Sequence, residues 1–195
     1  MLSAIVLAAG LSTRMGAHNK LLLYYKNKTV IACVVETILE AGIKDIVVVT
    51  GHESENIKYA LRNLPVKFEY NSRYAEGMTT SIQCGVNATL GNAYMICLSD
   101  MVMITAEEYT FLKDSFENKL LLDSKCICIP MYKNEIGNPV IFSAFYKDAI
   151  FQNQYMEGCK NIVQSNKEHV YYVETETSHI LNDFDYPEEY QKLEG

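Results

Sequence analysis

At 195 residues the chain is long enough to bury a substantial core, and 49% hydrophobic with 21% charged residues is ordinary globular usage, which excludes wholesale disorder. A net charge of −7 argues against a nucleic-acid groove or an anionic membrane as the main partner, and any polyanion site has to be built from local cations. No apolar run reaches transmembrane length and "MLSAIVLAAG" lacks a basic leader region, so the expectation is a cytoplasmic protein of one domain, residues 1–195.

In chain order, "SAIVLAA" reads as a strand that runs into the loop "AAGLSTRMG". "TVIACVVETILEAG" carries Val30, Val34, Ile38 and Cys33, Thr37, Ala41 at helical spacing, with Gly42 as its stop. "DIVVVTG" is a continuous apolar strand, expected to be buried on both faces of a parallel sheet. A short helix "ENIKYALRN", a strand "VKFEY", a helix "TTSIQCGVNAT" and a strand "AYMICLSD" follow. "TAEEYTFLKDSFEN" is a helix whose Thr105 and Glu108 have capping-box spacing. "KCICIPMY" and "NPVIFS" are strands around the turn "KNEIG"; "EGCKNIVQSN" is a helix, "HVYYVET" a strand, and "YPEEYQKLEG" a last helix begun near Pro187. This alternation predicts an α/β fold: an open, mostly parallel sheet with helices on both faces, with an antiparallel addition where the later strands crowd together.

Six cysteines and four histidines show no C-x-x-C pair and no metal-ligand spacing. Cys126 and Cys128 share one face of a strand and read as buried thiols.

Ligands of such folds bind beyond the carboxyl ends of the strands. That rule places "AAGLSTRMG", "TGHES", "NSRYAEGMTTS" and "LSDM" on one rim. Small residues at Ala8, Ala9 and Gly10 allow close approach of a ligand to the backbone. Arg14 adds a planar guanidinium and Lys20 a point charge, which together suit a triphosphate. The loop is neither G-x-x-x-x-G-K-[ST] nor G-x-G-x-x-G. Asp100, at the end of an apolar strand, stands where a Mg²⁺ ligand would sit; Thr105 is the better helix cap and leaves it for chemistry. Gly77 permits close approach, and Thr79, Thr80 and Ser81 open a helix where amides and hydroxyls can meet a nucleotide. In "NDFDYPEEY", Asp183 and Asp185 either supply a second metal carboxylate or cap the last helix.

These motifs carry a resemblance. "LAAGLSTRMGAHNKLLL" resembles the nucleotide-binding signature of the MobA-like NTP transferases, closest to the molybdenum cofactor cytidylyltransferase branch, and "EGMTTSI", "GNPV" and "DFDYPEEY" extend the likeness nearly end to end. The resemblance implies a Rossmann-like three-layer sandwich of the nucleotide-diphospho-sugar transferase type. It implies an enzyme that joins the NMP unit of an NTP, CTP being the expected donor, to the phosphate of a molybdopterin and releases pyrophosphate. In it Leu7, Ala8, Ala9 and Gly10 would hold base and ribose, with Gly77 and Ser81 also on the nucleotide. Arg14 and Lys20 would hold the triphosphate, and Asp100 with Asp185 (or Asp183) would hold Mg²⁺. A molybdoenzyme or its chaperone would be the onward partner. The chain departs from the family at Val102, where proline is frequent, and at Asn138, where histidine is frequent. The second departure falls where the acceptor is expected. "LAAG" in place of "LAGG" favours cytidylyl over guanylyl transfer. The alternatives are a nucleotidyltransferase acting on a sugar or polyol phosphate, and a non-catalytic nucleotide-binding regulatory domain.

Overall fold

In a computed structural model, residues 1–10 and 19–183 are described. Seven strands form the main path of one sheet in the order β10-β7-β9-β6-β1-β4-β5. They are β1 (Leu2–Ala8), β4 (Asp45–Thr50), β5 (Lys67–Tyr70), β6 (Ala93–Leu98), β7 (Ile127–Tyr132), β9 (Val140–Ser143) and β10 (Val170–Glu174). β1 pairs in parallel with β4 and with β6, and β4 with β5. The antiparallel addition is narrower than the sequence suggests. β9 runs against both β6 and β7, whereas β10 lies parallel to β7.

The central strands β1, β4 and β6 are largely apolar because each faces two cores. Ala4, Val6, Ala8, Ile46, Val48, Met95, Cys97, Cys126 and Cys128 point into one, packed against α1 (Val30–Glu40) and α4 (Ala106–Leu120). Ile5, Val47, Val49, Tyr94, Ile96, Ile127 and Ile129 point into the other, with Ile82 and Val86 of α3 (Met78–Ala88) and residues of α5 (Lys147–Gln152) and α6 (Lys160–Ser165). The period of two thus divides each strand between the helical layers on either side. The two cysteines of "CICIP" lie on one face, buried and free. Gly85 has no Cβ because one would run into Ile5, so α3 settles directly on β1.

Caps follow the sequence closely. The Thr29 hydroxyl accepts from the Ala32 amide at the start of α1, and Thr105 with Glu108 forms a complete capping box on α4. Three further elements were not anticipated. Tyr24–Tyr25 (β2) and Lys28–Thr29 (β3) form a small hairpin, Glu135–Ile136 (β8) pairs back onto β7, and α5 precedes the expected last helices. Both hairpins turn on a Lys-Asn pair with positive φ, Lys26 (48°) and Asn27 (67°), then Lys133 (49°) and Asn134 (70°). The helix expected from Pro187 onward lies outside the described residues. Among the described residues no helix is long and apolar enough to cross a membrane.

At the rim opposite the strand ends, one carboxylate ties the parallel strands together. Asp45 accepts from the Ser3 hydroxyl at 2.5 Å, the Leu90 amide at 2.9 Å and the Lys67 ammonium at 3.2 Å, while Ser3 itself accepts from the Gly91 amide at 3.0 Å. Burial opposes ionisation of Asp45, yet these donors together hold its carboxyl below the usual value. A depressed folded-state value means stability that is present above the unfolded carboxylate value of about 4 and is lost as pH falls through the folded one. Asp45→Ala should therefore cost about 1–3 kcal/mol at neutral pH, since it strands buried donors. It should also flatten the acid limb of the stability curve, which urea titrations at pH 3–7 would measure.

Candidate functional site

The parallel strands deliver four loops to one edge. β1 ends at Ala8, β4 at Thr50, β5 at Tyr70 and β6 at Leu98. The two strand ends flanking the sheet centre are locked together: the Ser99 hydroxyl donates to the Leu7 carbonyl at 2.7 Å. Ala8 and Ala9 are buried, Gly10 is exposed, and among the described residues nothing lies within 4 Å of where a Gly10 Cβ would stand. Gly51 is small for a different reason, because a Cβ there would come within 2.6 Å of Tyr74 and 2.9 Å of the Ala9 carbonyl.

Beyond the first loop, Asn19 caps a short 3₁₀ turn, Lys20–Leu22, its side-chain oxygen accepting from the Leu21 amide at 3.1 Å. Buried Leu21 anchors this turn in the core. The turn aims Lys20 across the rim, where its ammonium meets an Asp100 carboxylate oxygen at 2.5 Å. The lysine side chain is 18% exposed and the aspartate 9%, so the pair is largely withdrawn from water. A net-negative protein thus ties the Lys20 cation of its rim to the strand-end acid. Arg14 lies outside the described residues, as does Asp185. Asp183 follows the 3₁₀ turn His179–Leu181 and is exposed. Among the described residues, no group of three or more His, Cys, Asp or Glu is placed to hold a metal ion by itself.

The loop between β5 and α3 is organised by Asn71. Its amide nitrogen donates to the Thr80 and Ser81 hydroxyls at 2.9 and 3.0 Å, and its side-chain oxygen accepts from the Arg73 amide at 2.9 Å. Ser81 and Thr79 are buried. Gly77 adopts φ 110°, and a Cβ there would come within 2.7 Å of the Met156 carbonyl. The close approach at Gly77 is made by the chain itself. Thr79 completes the join: its hydroxyl donates to the Tyr155 carbonyl and accepts from the Gly158 amide. From α3, Gln83 donates to the carbonyls of Ile150 and Asn153, both at 2.9 Å.

Burial keeps three of the six cysteines as thiols. Burial pushes Cys84 up to about 11 and Cys159 up to about 12, and Cys97 higher still, so none is a thiolate at neutral pH. Sequence reasoning missed Asn71, Ser99 and the segment 153–158. A polar residue directly after a strand, apolar in the case of Ser99, is the available signal for the first two; the last is brought to α3 only by the tertiary fold.

Gly77→Ala should destabilise the protein by about 1–3 kcal/mol, since it combines a left-handed backbone with a clash against Met156. Protease nicking within 153–158 should rise with it; unchanged resistance would show that this join is not held by Gly77.

A family model described as a MobA-like NTP transferase domain matches residues 4–170. Choline-phosphate cytidylyltransferase of Streptococcus pneumoniae (strain ATCC BAA-255 / R6) is 31% identical over 123 residues, which is 61% of this chain and 50% of that protein. Nicotine blue oxidoreductase of Paenarthrobacter nicotinovorans is 28% identical over 99 residues, 50% of this chain and 48% of that one. The chain therefore spans about half the length of these curated relatives. A nucleotidyl transferase structure from Methanothermobacter thermautotroptrophicus superposes with a TM-score of 0.85 at 22% identity, covering 99% of this chain and 95% of that one, a likeness of fold.

Proposed function

The chain belongs to the MobA-like NTP transferase family, and on that footing we propose that residues 1–195 act as one Mg²⁺-dependent nucleotidyltransferase domain. The reaction is transfer of the NMP unit of an NTP, CTP in this reading, to the terminal phosphate of a molybdopterin. The observation that carries the proposal is the convergence of Lys20 and Asp100, 80 positions apart in the chain, at 2.5 Å on the strand-end rim.

In the reaction an anionic acceptor oxygen attacks the α-phosphorus, a P–O bond forms, and the α–β bridging oxygen leaves with its electron pair as part of pyrophosphate. A phosphate monoester is already ionised near neutral pH, so no side chain has to remove a proton. The work left to the chain is alignment and charge neutralisation. Leu7, Ala8, Ala9 and Gly10 present backbone to base and ribose; Gly77, packed on Met156, and Ser81, bonded to Asn71, would shape the other side of the nucleotide through the loop they hold. Lys20, with Arg14 of the preceding loop, holds the triphosphate. Asp100 fits a hard cation: it is a buried oxygen donor on which an ammonium already sits. With Asp183 or Asp185 it would hold Mg²⁺, which when bound neutralises charge on the phosphates.

For the acceptor, an open groove of about 690 Å³ begins at the start of α3 and is lined by Arg73, Thr80, Phe151, Tyr155 and Met156 among others. Its lining is mostly polar, with Glu76, Gln83, Gln152 and Gln154 beside Arg73 and Thr80, and the exposed Tyr155 ring is the surface on which a flat pterin would stack. A molybdoenzyme or its chaperone would then take the product. The second reading, transfer to a small alcohol phosphate, is favoured by the likeness to a protein named choline-phosphate cytidylyltransferase.

Pyrophosphate release measured with each of the four NTPs, with and without Mg²⁺ and with each acceptor class, tests the whole reading; no release under any condition would leave a binding domain. Asp100→Asn should abolish turnover and leave the protein folded. Lys20→Ala should weaken CTP binding about ten- to a hundredfold while leaving cytidine binding nearly unchanged, because the lost contact is to phosphate. Equal loss for both ligands would instead mean that the loop has collapsed. Tyr155→Ala should raise KM for the pterin acceptor and not for CTP.

A further inference from the structure

The sheet ends at β5, and the outer edge of that strand has a definite backbone polarity. The Asn71 amide donates to the Thr50 carbonyl at 2.8 Å, and the Glu69 carbonyl accepts from the Thr50 hydroxyl at 3.3 Å, so residues 69 and 71 turn their backbone groups toward β4. Backbone direction alternates along a strand, and Phe68 and Tyr70 therefore turn their amides and carbonyls away from the sheet. Among the described residues β4 is the only strand beside β5, and no backbone hydrogen bond reaches Phe68 or Tyr70 from the outer side. An edge of unpaired amides and carbonyls is a template for another strand.

The side chains of this edge select which strand fits. Lys67 and Glu69 stand beside Val47 and Val49, on the α3 face of the sheet, while Phe68 packs on the opposite core. The Lys67 side chain is 48% exposed, and its ammonium reaches Asp45 at 3.2 Å. Glu69 is half-buried and makes no ion pair among the described residues. A two-fold axis normal to the sheet sets the β5 of a second copy antiparallel to the first. Backbone bonds then form only where outward residues meet outward residues, which leaves three registers. Centred on Lys67, the pairing sets Lys67 against Lys67 of the second copy; centred on Glu69, it sets Glu69 against Glu69. Centred on Phe68, it sets each Lys67 against the Glu69 of the other copy. Like charges directly opposite are destabilising and opposite charges are stabilising, so the Phe68 register is the one selected.

We propose that β5 is the interface for a second copy of this chain, whose own β5 adds antiparallel across a two-fold axis at Phe68 and extends the sheet through both copies. Phe68 exchanges two backbone bonds with Phe68 of the second copy, and each Tyr70 amide reaches the other copy's Val66 carbonyl. Tyr70, 54% exposed in the single chain, meets Val66 of the second copy as an aromatic and β-branched cross-strand pair. Two Lys67–Glu69 pairs fix the register on the α3 face. The antiparallel arrangement points the strand-end rims of the two copies to opposite ends, so the interface leaves both rims in place. At the other end of the sheet, β10 carries no such selection: the Thr175 amide on the Met131 carbonyl sets its polarity, and the residues that correspond to Lys67 and Glu69 are the uncharged Tyr171 and Val173. A strand of four residues gives a dimer in concentration-dependent exchange with monomer.

Sedimentation velocity on the full chain, from micromolar to millimolar concentration in low salt, should show a monomer–dimer equilibrium that shifts toward monomer as salt is added. Glu69→Lys should weaken association about tenfold or more, because it sets like charges opposite each other on both sides of the axis. Lys67→Glu should do the same. An equimolar mixture of the Glu69→Lys and Lys67→Glu chains should dimerise again, since in the mixed pair every lysine faces a glutamate. Amide hydrogen exchange of the wild type gives a reading that needs no variant: the Phe68 and Tyr70 amides should gain protection as concentration rises, while those of Lys67 and Glu69, which already face β4, should not change. A chain that stays monomeric through this range overturns the proposal. So does a dimer in which the Phe68 and Tyr70 amides stay unprotected, or in which Glu69→Lys associates as wild type does. A mixture that stays monomeric although both variants are folded by circular dichroism overturns the register, and with it the interface.

Discussion

β1 hydrogen-bonds to β4 along one edge and to β6 along the other, and its side chains alternate between two closed cores. A slip of one residue would exchange every side chain between those cores, so the register of the central strand is fixed from both sides and both faces. The position of Ala8–Gly10 on the rim follows from that register. So does the height of Asp100, because β6 is held in step with β1 from Leu2↔Ala93 to Leu7↔Leu98. The Ser99 hydroxyl on the Leu7 carbonyl continues the same lock one residue past the ladder. The rim is therefore a consequence of the sheet, and its loops begin from points that cannot drift.

Electrostatics shape what the rim can accept. A chain with net charge −7 repels polyanions at long range, and screening confines that repulsion to about 8 Å at physiological salt. Within that distance local charge decides. Lys20 sits on Asp100 in a largely water-excluded place, where an ion pair gains less over its desolvation cost than distance alone suggests. Such a pair is better placed to exchange partners than to stabilise the fold. On the proposed reading, an incoming triphosphate would offer the ammonium an equivalent anion, and a divalent cation would offer the carboxylate an equivalent charge.

Much of this was legible in the residues. Continuous apolar runs marked buried parallel strands, and the Thr105–Glu108 spacing marked the start of α4 as it stands. The Tyr24–Thr29 hairpin, and the strand Glu135–Ile136 inside the expected turn "KNEIG", have no local mark because they turn on Lys-Asn pairs, without the glycine that announces a type I′ turn; asparagine tolerates the left-handed backbone and supplies it instead. α5 was missed because six residues, Lys147–Gln152, are too few to display a helical period. Glu108 was read correctly as a cap and incompletely as a residue. Its further partners, Thr177 and His179, lie 69 and 71 positions away, and no local pattern encodes a contact at that distance. The same holds for Gly77, whose freedom to approach closely was visible while the identity of what approaches, Met156, was not.

The join between α3 and residues 153–158 bears on how an acceptor is chosen. Every polar group named there is spent on the backbone: Thr79 on Tyr155 and Gly158, Gln83 on Ile150 and Asn153, and the Asn153 amide on the Gly158 carbonyl at 2.8 Å. Those bonds hold the main chain while Tyr155 and Met156 project outward. A backbone fixed in this way pays little ordering cost when a flat ligand settles on the projecting side chains. If the acceptor lies here as proposed, selectivity on this side of the rim would depend on which side chains project, and it would change by substitution at Tyr155 or Met156 without disturbing the register that places Asp100.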